Sequence, residues 1–381
     1  MKKFSTRTMP CFTDDSQARA VKPEEREQKI LEMLIQNNYY ELDYSQVWLS
    51  RVFAAYRQPH RYFHTLVHLQ TICAAILETV SDKELRAKLL LTALFHDVVW
   101  YPEGGNSEEL SVEAFLFVCS QYGLSLSNGV REEICRAIMA TKTQVADSEL
   151  ASRFHDYDCQ VIIHGNEIDL LAYEYQVFRE FQCLNMQDYR KGRRAFFNRF
   201  ARRFPECSST MHFLVEYLER RRPRIGIYAG TFNPFHIGHL SILEKAEQMF
   251  DKVIVAVGIN PQKDTKKDQE LESVLPFHEV VYFDSLVVDL IEKESVLSDV
   301  ILVRGLRNGY DLDYEMNQMS YINEMRPNTQ AVYIPCDKKL EHISSSALNG
   351  FSRFNMNGRD KIYYPTKYFY YRQTIPELFG K

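Results

Sequence analysis

The hydrophobic period changes once along the chain, near residue 222, and that change limits the folds open to it. Before it, apolar residues recur at helical spacing in Ile30–Gln36, Val67–Val80, Leu85–Phe95, Val112–Gln121, Val130–Ala140 and Ala172–Phe181, the pattern of a helix with one buried face. β-Branched runs bounded by turn residues are nearly absent there, so residues 26–219 are expected to form an all-α domain. After it, the strand-like runs Arg224–Tyr228, Lys252–Gly258, Val300–Val303 and Gln330–Ile334 alternate with a helical run, His239–Phe250, and with a helix around Tyr314–Asn323. Alternation of this kind implies a parallel sheet with crossover helices, here over residues 224–381. Residues 1–25 read as a disordered tail, and Arg220-Arg221-Arg222-Pro223-Arg224 as a basic, solvated linker.

Composition narrows the function classes. The 381 residues are 45% hydrophobic with a net charge of -5, which exerts no general pull toward nucleic acid or an anionic membrane. No apolar run reaches the roughly 18–20 residues of a membrane helix, and the first residues lack the apolar core of a signal peptide. Eight scattered cysteines without a CxxC pair read as reduced thiols, so a cytoplasmic location is expected. The stretch Arg190–Arg203 interleaves arginines with Phe196, Phe197 and Phe200. An amphipathic helix with a basic face accounts for it, a nucleic-acid contact is the other reading, and the acidic balance favours the first.

The sharpest chemical signal is Gly226-Ile-Tyr-Ala-Gly230-Thr231-Phe232-Asn-Pro-Phe-His236-Ile-Gly238-His239. A strand runs into a glycine turn and a helix begins at the second histidine. Backbone amides at such a helix start face an anion with a favourable dipole, and two imidazoles stand beside them. This segment resembles the HxGH signature of the nucleotidyltransferase superfamily, with a Rossmann-like fold.

Three further segments are similar, in order and spacing, to the phosphopantetheine adenylyltransferase family. They are Asn260-Pro261-Gln262-Lys263 after a strand, Val303-Arg304-Gly305-Leu306-Arg307 leading to Tyr314-Glu315, and Ile343-Ser344-Ser345-Ser346 opening a helix. The resemblance implies transfer of AMP from ATP to 4′-phosphopantetheine, with Mg²⁺ carried mostly by the phosphates. It assigns His239 to charge developing on the α-phosphate and Lys263 to a bridge between attacking phosphate and ATP. Arg304 would contact the acceptor phosphate. Gly230, Thr231, Phe232, His236 and Ser344, Ser345 and Ser346 would seat the phosphoryl groups, while Arg307 and Glu315 lie toward the nucleotide. His236 stands where that family has threonine, as in adenylyltransferases of nicotinate mononucleotide, so another acceptor stays open.

The helical half carries His64 and His68, four apart on one helix face, then adjacent His96 and Asp97, then Asp156-Tyr157-Asp158. Imidazole with carboxylate suits Mn, Fe, Co, Ni or Zn, and spacing does not choose among them. Phe63-His64-Thr-Leu-Val-His68, Phe95-His96-Asp97, Asn106-Ser107-Glu108-Glu109 and Asp156-Tyr157-Asp158 resemble the HD-domain metal-dependent phosphohydrolases. That resemblance makes His68, His96, Asp97 and Asp158 metal ligands, with Asp156 the alternative to Asp158. It makes His64 a proton donor to the leaving group, puts Glu108 or Glu109 behind the ligands, and gives water as nucleophile toward a phosphorylated metabolite of unknown identity. A regulatory helical domain without turnover stays open, as does a homo-oligomer. His60 reads as a packing residue.

Overall fold

The computed structural model describes residues 21–143, 145, 147–259, 271–351, 354 and 358–380. Residues 1–20 of the expected tail therefore lie outside the described residues, and so does Lys263. Contacts gather the chain into two compact units. One runs through Glu180 and takes in Arg190–Arg220 and the segment from Arg372; the other comprises Phe181–Tyr189 and Arg221–Tyr371. The main change of unit falls between Arg220 and Arg221, with two short segments grouped against the order of the sequence.

The first unit is helical throughout its described residues. Its helices up to Glu180 are α1 (Pro23–Gln36), α2 (Val47–Tyr56), α3 (Leu66–Thr79), α4 (Lys83–Phe95), α5 (Ser107–Gln121), α6 (Asn128–Thr143), α7 (Glu149–Asp158), α8 (Gln160–His164) and α9 (Glu167–Glu180). Then come α10 (Met186–Arg203) and α11 (Ser208–Arg220). Helix α1 opens at Pro23, inside the stretch expected to be disordered, with Pro at its first position and Glu24 and Glu25 in the first turn. Both features favour a helix start. Asp82 and Ser148 cap α4 and α7 by accepting from Leu85 and Ala151. Trp48, Phe95, Phe115 and Phe154 fill a common core, with Trp48 stacked on Phe95 at 6.1 Å.

The basic helix α10 is amphipathic. Phe197 and Phe200 are fully buried, and Arg193 is drawn inward to Glu174, with Nε and Nη2 at 2.9 and 2.7 Å from one carboxylate oxygen. Removing one member of a buried pair leaves the other charge poorly solvated. Arg193→Leu is therefore expected to cost about 3–5 kcal/mol of stability, read as a lowered denaturation midpoint, whereas the exposed Arg199→Leu should shift it little.

The second unit is a five-stranded, wholly parallel sheet in the order β3-β2-β1-β4-β5. The strands are β1 (Arg224–Gly230), β2 (Lys252–Gly258), β3 (Val280–Phe283), β4 (Asp299–Leu306) and β5 (Ala331–Pro335). Around it run α12 (Ile237–Glu247), the short α13 (Leu271–Val274), α14 (Val287–Ser295), α15 (Gly309–Met325) and α16 (Ser345–Phe351). Ile227, Ala256 and Leu302 pack with Ile291 of α14 and Met319 and Ile322 of α15 on one face. The chain ends in α17 (Ile375–Phe379), which belongs to the helical unit: Ile375 and Phe379 lie in its core, and Tyr122 donates to the Phe379 carbonyl at 2.9 Å.

The basic run at 220–224 is exposed at Arg220, Arg222 and Arg224 and is also tied down. Arg222 donates to the carbonyls of Ser295, Val296 and Ser298 and to Asp299, and Arg221 pairs with Asp251. Lys252, fully buried at the foot of β2, is satisfied by the Gln182 and Leu184 carbonyls and by Glu279, as a buried ammonium requires.

Among the described residues no helix is long and apolar enough to cross a membrane.

Candidate functional site

Strand order decides where ligands can gather in the sheet unit. The order reverses between β1 and β4, and in such sheets the crevice at the carboxyl ends of those strands receives the ligand. Gly230 ends β1, and the turn to α12 carries Thr231, Phe232, His236 and His239. Arg304 lies on β4 with Arg307 just beyond it. The serines follow β5.

The turn is tightly built. A Cβ on Gly230 would meet the Phe232 ring at 2.9 Å, and Phe232 itself has φ 45, a region that side chains rarely adopt. His236 caps α12: its Nδ1 accepts from the Gly238 amide at 3.1 Å, and the His239 Nδ1 accepts from the His236 amide at 3.3 Å. An amide can only donate, so both Nδ1 atoms carry lone pairs, and in the neutral rings both protons sit on Nε2. The rings stack at 3.7 Å. Burial and the nearby Arg307 hold His236 down at about 4, while burial, His236 and Arg307 hold His239 well below the usual range. The pair thus offers two neutral Nε2–H donors.

This has a measurable consequence. The His236 value lies below its unfolded value of about 6.5, so its share of stability is fully present above that pH and disappears as pH falls toward about 4. Nitrogen-detected histidine spectra of the ligand-free protein should show both rings as Nε2–H tautomers from pH 8 down to about 5. A titration midpoint near 6.5 for either ring would contradict the capping geometry.

Arg304 reaches back to β1, donating to the Ala229 carbonyl at 3.2 Å, with its Nε 3.1 Å from Glu315. Burial raises the Glu315 carboxyl against the lowering effect of Arg304. Arg307 is held by both oxygens of Asp311 at 3.0 and 3.1 Å. Ser345 donates to the Pro234 carbonyl at 3.0 Å, and Ser344 accepts from the Ala347 amide. Ser345 and Asn349, which donates to the Asn233 carbonyl, tie the serine turn to the histidine turn. Ser346 and Thr231 are exposed. Of the anion-contacting set read from the sequence, only Lys263 falls outside the described residues.

In the helical unit, His68 of α3, His96 and Asp97 after α4, and Asp158 ending α7 bring one ligand atom each within 4.8 Å of one another. His68 Nε2 lies 3.2 Å from Asp158 Oδ1. His96 Nε2 lies 2.9 Å from Asp97 Oδ2 and 3.4 Å from Asp158 Oδ1. Asp156 is exposed, whereas Asp158, two residues on, is the one that lies in this group. Burial opposes charge here, yet Asp97 and Asp158 push the His96 ring up to about 10. Burial lowers His68. Both carboxylates are held low against burial, Asp97 by His96 and His64, Asp158 by the nearby His68 and His96 rings.

His96 Nδ1 donates to the Ala93 carbonyl at 2.9 Å, while its buried Nε2 lacks a well-directed hydrogen-bond partner. Two imidazoles and two carboxylates facing one point, with that nitrogen unsatisfied, fit a divalent transition ion.

Around this cluster stand two residues the sequence did not single out, Glu180 and Arg61. Glu180, at the end of α9, accepts from the amides of Tyr62, Phe63 and His64 with Oε1 and meets His64 Nδ1 with Oε2 at 2.5 Å. Buried Arg61 donates to the carbonyls of His64, Asp97 and Val98. Glu109 pairs with Lys142, and burial raises Glu108, with Asp97 adding to the effect. His60 is buried against the Trp100 carbonyl at 2.7 Å, a packing role as expected.

Residues 227–350 match the cytidylyltransferase-like family. The phosphopantetheine adenylyltransferase of Brucella anthropi is 34% identical over 155 residues, which is 37% of this chain and 91% of that protein. Its namesake from Brucella ovis is 34% identical over 154 residues, with the same shares. That of Wolbachia pipientis is 33% identical over 140 residues, covering 34% of this chain and 81% of its own. With nine-tenths of such a relative covered at 34% identity, the chain belongs, through its C-terminal part, to the phosphopantetheine adenylyltransferase family.

Proposed function

We propose that the sheet unit transfers AMP from ATP to 4′-phosphopantetheine, releasing pyrophosphate and forming dephospho-CoA. The observation that carries this reading is the paired Nε2–H donors of His236 and His239 at the β1 carboxyl end, beside Arg304 and Arg307. Phosphoryl transfer asks the protein for positioning and charge stabilisation more than covalent work. His239 donates to the α-phosphoryl oxygens as charge develops. His236 and the Gly238 end of α12 seat the polyphosphate, and Ser344–Ser346 line its far side. Arg304 leaves Glu315 to bind the acceptor phosphate, and Lys263 bridges the two substrates. Mg²⁺ accompanies ATP.

The purified chain, supplied with ATP, Mg²⁺ and either 4′-phosphopantetheine or nicotinate mononucleotide, tests the acceptor. Pyrophosphate release with the first alone is expected; release with the second alone overturns the assignment.

For the helical unit, we propose a metal-dependent phosphohydrolase acting on a small phosphorylated metabolite. His68, His96, Asp97 and Asp158 hold the ion, which when bound supplies Lewis-acid polarisation of a phosphoryl oxygen and of water. His64, stacked on Trp100 at 3.8 Å, turns Nε2 toward the cluster, 3.8 Å from Asp97 Oδ2, where it can pass a proton to the leaving oxygen. Phosphate release from a panel of nucleotides and CoA precursors, with and without chelator, tests this; no chelator-sensitive release from any of them argues for a regulatory domain.

A further inference from the structure

Glu180 is buried to 1% exposure and belongs to no motif in the sequence. Its two oxygens do different things. Oε1 gathers three successive amides, those of Tyr62, Phe63 and His64, at 2.8, 2.8 and 2.9 Å. That alone pins the loop before α3, and a neutral glutamine oxygen would serve as well. Oε2 faces the His64 ring, at 2.5 Å from Nδ1. A carboxylate is costly to bury, and the atom that distinguishes it from an amide is the one on the imidazole.

The ring is held on its other sides too. Trp100 stacks on it at 3.8 Å with planes 29° apart, and Phe63 meets its face edge-on at 5.0 Å. Because the carboxylate accepts from Nδ1, the proton stays on Nδ1 in either charge state of the ring, and Nε2 is the nitrogen presented to the metal-ligand cluster.

We propose that Glu180 is the positioning residue for His64, fixing the plane and tautomer of the ring so that Nε2 alone serves the reaction. The proposal rests on the hydrolase reading of the helical unit for its kinetic consequence, but not for its structural one.

Glu180→Gln is the informative change. The three amides keep Oε1 in place, so the new amide nitrogen faces Nδ1 with a hydrogen and drives the ring proton to Nε2. With the full-length chain loaded with Mn²⁺ and p-nitrophenyl phosphate as probe, kcat should fall about 10²–10⁴-fold, the size of effect known when an orienting carboxylate becomes an amide. KM and bound metal should stay unchanged. In a His64→Ala background the same substitution should cost nothing further, since residues that act through one another are not additive. Nitrogen-detected spectra of the Zn²⁺-loaded protein should show Nδ1 protonated in the wild type in both charge states of the ring, so that the proton lost and regained is the one on Nε2. The neutral ring of the variant should instead carry its proton on Nε2 and lose the one on Nδ1. An unchanged kcat, a full loss persisting without His64, or an unchanged tautomer each overturns the proposal. If Glu180→Gln does not fold, Glu180→Asp carries the test, its shortened side chain giving up the Nδ1 contact with the same expected non-additivity. If the wild type leaves the probe untouched, the hydrolase reading is what suffers, and the tautomer measurement still decides the role of Glu180.

Discussion

His239→Asn is expected to lower kcat for adenylyl transfer by about 10²–10³-fold, the usual effect of deleting one preorganised donor to a developing oxyanion. Asparagine is chosen because its Oδ1 takes the place of Nδ1 and goes on accepting the His236 amide, so the helix cap survives while the Nε2–H donor is lost. Helix α12 and its packing should therefore persist, and the ATP KM should move much less than kcat. Pyrophosphate release from ATP and 4′-phosphopantetheine measures both. Activity within threefold of wild type would remove His239 from the chemistry and with it the proposed use of the turn.

The second large effect concerns the helical unit. Asp97→Asn and His96→Ala should each weaken divalent-metal binding by more than about 100-fold, since even outer-sphere changes reach that size. The readout is stability as well as metal content. A ligand that binds only the folded form at 100 times its Kd adds about 2.7 kcal/mol, so Mn²⁺ or Zn²⁺ should raise the wild-type unfolding temperature and leave these variants unmoved. In metal-free protein Asp97→Asn removes the carboxylate paired with the buried His96 ring, so it should lower the baseline stability, and the metal-dependent shift is read relative to that baseline. Asp156→Asn, two residues from Asp158 and exposed, should behave as wild type. Equal metal content in all four proteins would show that the cluster does not bind an ion.

Legibility in the sequence followed the range of the interactions. β2 was readable to the residue because Lys252–Gly258 is a β-branched run stopped by glycine, buried on both faces as parallel strands are. β1 and β4 were read short, since Ala229, Gly230 and Gly305 carry no strand signal. Edge strand β3 was missed altogether: four half-buried residues, Val280–Phe283, offer no period. Helices of the first half began earlier than their apolar stripes, because first turns are polar where capping and dipole favour it. α15 likewise starts at Gly309, capped by Asn308.

Among site residues, the histidine turn and the pair His96-Asp97 were visible because neighbours in sequence supply their geometry. Glu180 was not, being 116 residues from His64 and marked by nothing local. The same holds for the pairing of Arg304 with Glu315, where the sequence showed both residues but not that each occupies the other before substrate arrives.

The last helix has a bearing on how this chain can be divided. Because Ile375 and Phe379 sit in the core of the helical unit, the polypeptide leaves that unit, completes the sheet and then contributes to the helical core again. A single cut near residue 222 would give one fragment with an apolar slot left open and another trailing a greasy peptide with nowhere to go. Separating the two units of this chain therefore takes more than one cut, because segments of the helical unit stand on both sides of Arg221–Tyr371 in sequence.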